Sequence, residues 1–191
     1  MDMEKLTNEK WLNLYKAKWI DKKGKNREWI FASRRDPALV IRERSAGAVV
    51  IIPILQKEGE PDKLVVTKEW RATIDGYEHG FPAGIIEDNE SSIDAAKREL
   101  LEETGLTLTK IHTISPPCFV GTSGGPGMAC YAFVYCKGEI SNKNQAEDED
   151  IETFALSLEE LGNLISSDIY FGSRTWLVIN NMLKHRKISF E

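Results

Sequence analysis

The chain has 191 residues, 41% of them hydrophobic and 29% charged, with 14 Gly and 7 Pro. That makeup suits one ordinary globular domain with a small appendage and excludes collagen-like, low-complexity and wholly disordered chains. With 25 basic against 30 acidic residues the net charge is −5, which argues against nucleic-acid binding through a basic surface and obliges any phosphate-handling site to import positive charge.

The first 45 residues differ in character from the rest, so the chain divides into an N-terminal region, 1–45, and a main domain, 46–191. KWLNLYKAKWI and NREWIFAS predict two strands around Asp21-Lys22-Lys23-Gly24-Lys25, whose Gly and polar residues suit a hairpin turn. Strands follow at 46–55 and 63–71, joined by the polar stretch 56–62. Two more are expected at 110–120 and 128–136, split by the Gly-rich loop 121–127, and another near 151–156. Helices are expected at 158–166 and 173–184. Strands interleaved with few helices read as α/β or α+β with a mixed sheet.

The most apolar stretch, 46–55, is far too short for a membrane span, and MDMEKLTNEKW has neither a signal-peptide nor a transit-peptide composition. A soluble, cytoplasmic protein with no membrane partner is therefore expected. Cys118, Cys130 and Cys136 form no CxxC pair, and an odd count is a poor disulfide framework, so they read as small hydrophobes. His79, His112 and His185 share no metal-ligand spacing.

Residues 84–106 read GIIEDNESSIDAAKRELLEETGL. Ser91 or Ser92 N-caps a helix here, Asp94 complements its macrodipole, and Gly105 ends it. Ile93, Ala96 and Leu100 follow a helical spacing and should face the core. Glu99, Glu102 and Glu103 lie within about one turn of each other, where like charges repel by roughly 0.2–0.5 kcal/mol per pair. A hard divalent cation such as Mg²⁺ would turn that repulsion into binding; a solvated acidic face countered by Arg98 is the plainer reading of the helix alone.

The wider spacing decides between them. Gly84, Glu90 and Arg98-Glu99-Leu100-Leu101-Glu102-Glu103-Thr104-Gly105-Leu106 stand in the complete pattern of the Nudix box. Its fixed positions, at about 7% usage each, would coincide by chance on the order of 10⁻⁸ per start site. The chain resembles the Nudix hydrolases, and WLNLYKAKWIDKKGKNREW, KEWR, GYEHGFPAG and SPPC extend the likeness to the ADP-sugar (ADP-ribose) pyrophosphatases. The resemblance implies a Nudix α/β/α sandwich with a mixed sheet and an N-terminal antiparallel β domain exchanged in a homodimer. It implies a hydrolase that splits the diphosphate of ADP-ribose or related ADP-sugars into AMP and sugar phosphate with Mg²⁺, for which Mn²⁺ can substitute.

By the same resemblance Glu99 and Glu103 ligate metal with the Ala83 carbonyl, and Glu102 is a third or shared ligand. Glu90 and Arg98 hold the loop–helix–loop together, with a phosphate-binding role for Arg98 as the alternative. Trp11 and Trp29 match a pair that sandwiches the adenine, one from each subunit, and stacking of this kind contributes roughly 1–3 kcal/mol per base. Trp19 reads as packing. Arg34 and Arg71 match arginines that approach the diphosphate, where a guanidinium fork suits phosphate oxygens. The general base falls on the acidic run Glu147-Asp148-Glu149-Asp150-Ile151-Glu152, with Glu149 aligned best and Glu152 second.

Two departures stand out. Gly80 replaces a glutamate that usually precedes the Phe-Pro-Ala-Gly run, with Glu78 two residues earlier; and GTSGGPGM replaces a shorter loop that lines the sugar site. The loop change bears on which sugar is accepted. Because stacking tolerates other bases, a broader nucleoside diphosphate sugar hydrolase, or one for GDP- or UDP-sugars, is the alternative. A non-catalytic ADP-ribose sensor would carry a degraded box or an attached DNA-binding domain.

Overall fold

The computed structural model describes residues 1–146 and 149–190; Glu147 and Asp148 of the acidic run lie outside the described residues. In chain order the elements begin with β1 (Asp2–Lys5), β2 (Asn13–Ile20), β3 (Asn26–Ser33) and α1 (Pro37–Glu43). There follow β4 (Ala48–Leu55), β5 (Lys63–Arg71), β6 (Gly76–Gly80), β7 (Ala83–Ile85) and α2 (Ser92–Thr104). The last are β8 (Thr107–Ile114), β9 (Cys118–Phe119), β10 (Met128–Lys137), β11 (Ile151–Leu156), α3 (Leu158–Ile165), β12 (Tyr170–Phe171) and α4 (Ser173–His185).

The chain forms two compact units, one of Met1–Gly47 with Pro116–Ala129 and the other of Ala48–Ser115 with Cys130–Glu191. In the first, β2 and β3 form the predicted hairpin, in register from Asn13↔Ser33 to Ile20↔Asn26. Its turn is an Asx turn: the Asp21 carboxylate accepts the Lys23 and Lys25 N–H groups at 2.8 and 3.0 Å, and Gly24 supplies the positive φ. The short β1 adds antiparallel to β2. Pro37 opens α1, Asp36 caps it through the Ala38 N–H, and Arg44 ends it in the left-handed conformation.

The second unit holds a mixed sheet in the order β12-β6-β5-β4-β10-β8, with β11 on β5 and β7 on β4. β12 pairs β6 in parallel and β5 pairs β4, β6 and β11 antiparallel. Val49 to Leu55 of β4 and Leu64 to Thr67 of β5 are all buried, so both faces of these strands are covered. α2 packs against β4, β7, β8 and β11, while α3 and α4 pack on each other and reach β11 and β6. Ile51, Ile52, Ile54, Leu64, Leu100 and Leu161 are fully buried, each contributing roughly 1.5–3 kcal/mol by removal from water.

The strand expected at 110–120 is in fact two, β8 and β9, interrupted at Ser115-Pro116-Pro117, because proline cannot donate to a ladder. Cys130 and Cys136 are both buried, and burial pushes the Cys136 thiol up to about 12. No helix among the described residues is long and apolar enough to cross a membrane.

Candidate active site

α2 is framed as its sequence requires: the Ser91 hydroxyl accepts the Asp94 N–H at 3.1 Å, and Gly105, at φ +74, donates to the Leu101 carbonyl. Two of its acidic residues are not on a solvated face, while the Glu102 side chain stays 43% exposed. Glu99 and Glu103 are only 8% and 5% exposed, on the buried side with Ala95, Ala96 and Leu100, whereas Ile93, expected in the core, is half-buried. Glu103 accepts the Ala83 N–H at 3.2 Å, which ties the helix to β7. Burial pushes its carboxyl up to about 9, with the nearby Glu99, Glu69 and Glu149 charges adding to the shift and the Ala83 bond opposing it. Glu99 is raised chiefly by burial, against the pull of Arg98.

Arg98 knots the segment together. Its guanidinium forks onto Glu90 with two bonds of 2.9 Å, donates to the Ile85 carbonyl at 2.9 Å, and reaches Glu99 at 2.7 Å and Glu102 at 3.1 Å. All of this fits a holding role, and Glu90 is kept below the usual carboxylate range by Arg98. Among the described residues no three acidic, His or Cys side chains already stand in cation-binding geometry, and Arg98 occupies one oxygen each of Glu99 and Glu102. The donor chemistry nevertheless fits a hard cation: buried carboxylates with raised pKa values, and no ion pair to Glu103 among the described residues. A Cβ on Gly84 would overlap the Glu99 carboxylate, so only glycine leaves that carboxylate its place.

β5 and β6 supply a second group. Glu69 and Glu78 are cross-strand partners, and Arg71 pairs with both, removing the repulsion two like charges would otherwise have. Glu69 is raised chiefly by burial, opposed by Arg71, with Glu149 and Glu78 adding to the shift. Glu69 was not among the residues singled out from the sequence, although a period of two puts it on the face of Arg71. Gly80 faces the Thr67 hydroxyl. The Glu149 carboxylate accepts the Ala146 N–H at 3.1 Å, and its charge acts on Glu69, Glu99 and Glu103. Glu152 instead pairs with Lys68 at 3.1 Å.

Trp11, Trp29 and Arg34 belong to the first unit. Trp11 is 72% exposed with the Lys10 ammonium 4.4 Å from its ring centroid, and Trp29 is 54% exposed on β3 with its indole N–H donating to the Ser123 carbonyl at 3.2 Å. Arg34 is exposed and has no ion-pair partner among the described residues.

A sequence model of the NUDIX domain matches residues 44–174. The chain belongs to the NUDIX family. An ADP-sugar pyrophosphatase of Mus musculus is 39% identical over 103 residues, 53% of this chain and 45% of that one. An ADP-ribose pyrophosphatase of Saccharomyces cerevisiae is 40% identical over 114 residues, 58% of this chain and 46% of that one. The chain spans about half the length of these NUDIX relatives. A crystal structure of an ADP compounds hydrolase superposes with a TM-score of 0.65 over 97% of this chain and 94% of that one, at 17% identity, which shows the shared fold.

Proposed function

We propose that this NUDIX protein hydrolyses the diphosphate of ADP-ribose or related ADP-sugars to AMP and a sugar phosphate, with Mg²⁺ as cofactor and Mn²⁺ as a substitute. The observation that carries this reading is the buried pair Glu99 and Glu103, whose carboxyls are raised by burial on a helix fixed by Arg98. Names of the mouse and yeast relatives support the substrate class.

Glu99, Glu103 and the Ala83 carbonyl, with Glu102 as a third or shared ligand, would hold the metal. When bound, a divalent ion supplies Lewis-acid stabilisation of charge on phosphate oxygens. Glu149 takes a proton from water as its oxygen forms a bond to phosphorus and the bridging phosphoanhydride bond breaks, the leaving phosphate carrying the electron pair. Arg71, steadied by Glu69 and Glu78, and Arg34 bind the diphosphate. Trp11 and Trp29, one from each subunit of a homodimer, stack on the base. Residues 1–45 then serve as the dimerisation region and 46–191 as the catalytic domain.

Exposed tryptophans would stack on any base, so GDP- and UDP-sugars form the second reading. Purified protein with Mg²⁺ should release AMP from ADP-ribose, and Glu103→Gln should abolish that release. Clear turnover of GDP-mannose or UDP-glucose with none of ADP-ribose would overturn the ADP reading, and a monomer in gel filtration would overturn the shared base sandwich.

A further inference from the structure

The loop 121–127 is seated on β3 by hydrogen bonds to two of its main-chain carbonyls. The Ala32 N–H donates to the Gly124 carbonyl at 2.9 Å, and the Trp29 indole N–H donates to the Ser123 carbonyl at 3.2 Å. Gly124 and Gly125 both donate to the Gly121 carbonyl, at 3.1 and 3.3 Å, and Val120 donates to Gly127 at 2.9 Å, which closes the loop on itself. A Cβ on Gly125 would collide with the Ala32 carbonyl oxygen. That oxygen is backbone, in a strand paired to β2, and cannot step aside as a flexible side chain would.

The acceptor for the indole is thus a main-chain carbonyl whose position depends on the glycine two residues on in sequence. Trp29 is more than half exposed, and an exposed indole on a hairpin has little packing to hold it in one rotamer. The hydrogen bond to Ser123 is directional and so restrains the plane of the ring.

We propose that the Gly-rich loop is a positioning device for nucleobase binding: Gly125 lets Ser123 present its carbonyl to Trp29, which pre-orients the indole to stack on the purine of the substrate. Gly125 is a positioning residue, because it acts through Trp29. A ring already held in its bound orientation loses less freedom when the base arrives. The inference rests on the proposed function, in which Trp29 contacts the base, and its effect falls on binding rather than on bond cleavage.

The test compares Gly125→Ala, Trp29→Phe and the double variant for ADP-ribose hydrolysis with Mg²⁺. Trp29→Phe keeps an aromatic face but has no N–H to donate. Each single variant should raise KM by roughly 3- to 10-fold at an unchanged kcat, as expected for loss of one hydrogen bond acting on binding. The double variant should be no worse than Trp29→Phe alone, because both changes remove the same restraint. In ¹⁵N-labelled protein the Trp29 indole resonance, assigned by its disappearance in Trp29→Phe, should shift in Gly125→Ala. This second measurement needs no turnover. An unmoved indole resonance, multiplying KM effects in the double variant, or an unmoved KM in an active Gly125→Ala enzyme would each overturn the inference. Failure of the wild-type protein to cleave ADP-ribose would instead overturn the function on which it rests.

Discussion

The Glu99 carboxylate fills the space that a side chain at Gly84 would need. The two residues sit on different elements, β7 and α2, which pack together. Gly84→Ala therefore pushes on the free end of a flexible side chain and not on the backbone. The fold should survive while Glu99 moves away from its place. We predict a fall in kcat of about 10²-fold or more, the scale of a misplaced catalytic group, with a melting temperature close to that of wild type. Full activity in Gly84→Ala would remove Glu99 from the machinery.

Arg98 has a different signature, because its partners are numerous and half-buried. Lysine keeps the charge but cannot fork onto Glu90 while reaching the Ile85 carbonyl. Arg98→Ala would leave Glu90, Glu99 and Glu102 without their common counter-charge. Allowing for partial exposure, a loss of about 2–3 kcal/mol is expected, with Arg98→Lys recovering less than half. Denaturant unfolding measures it. An Arg98→Ala protein as stable as wild type, yet with a raised KM, would favour the phosphate-binding alternative for this residue.

The metal-free protein should lose stability as pH rises. Glu103 has a folded pKa near 9 against an ordinary 4.5. Below the lower value the carboxyl is protonated folded or unfolded and contributes no slope. Between the two values the unfolded chain has released the proton and the folded one retains it, so rising pH favours unfolding, by at most about 1.4 kcal/mol per pH unit from this group. Above the folded value the slope from Glu103 vanishes. Melting in EDTA, scanned from about pH 5 to about pH 9, should show wild type falling relative to Glu103→Gln, and Mg²⁺ should restore more stability at the alkaline end. A wild type that gains on Glu103→Gln over that window would contradict the assignment.

Much of this was legible from residue patterns, and the exceptions share a cause. The hairpin at Asp21–Lys25, β5, β11 and α2 with Ser91 and Gly105 at its ends all carry strong local signals: alternation, turn residues and caps. β6, β7 and β12 do not, being short and rich in Gly or aromatic residues, and they exist because neighbouring strands give them partners. In the site, the spacing of Glu99 and Glu103 was readable but their burial was not, since helical periodicity places charged residues outside. Glu69 was overlooked because its burial depends on β6 and β11 lying on either side of β5. The contact of Trp29 with Ser123, far apart in sequence, has no local signal at all.

Glu69, Glu149 and Glu152 can be separated by three conservative substitutions. Glu149 acts electrostatically on Glu69, Glu99 and Glu103, whereas Glu152 is committed to Lys68 across the β5–β11 pair. A general base must be free to accept a proton. Glu149→Gln should therefore lower kcat by about 10²- to 10⁴-fold with little change in KM, and Glu152→Gln should stay within about threefold of wild type. Glu69→Gln keeps the size of the side chain and can still accept from Arg71, but removes a negative charge that helps hold Glu103 protonated. It should leave turnover measurable, raise KM through a less firmly held Arg71, and move the acidic limb of the kcat profile to lower pH. If Glu152→Gln proves the damaging change and Glu149→Gln the silent one, the base lies at Glu152 and the Lys68 pair must open during turnover.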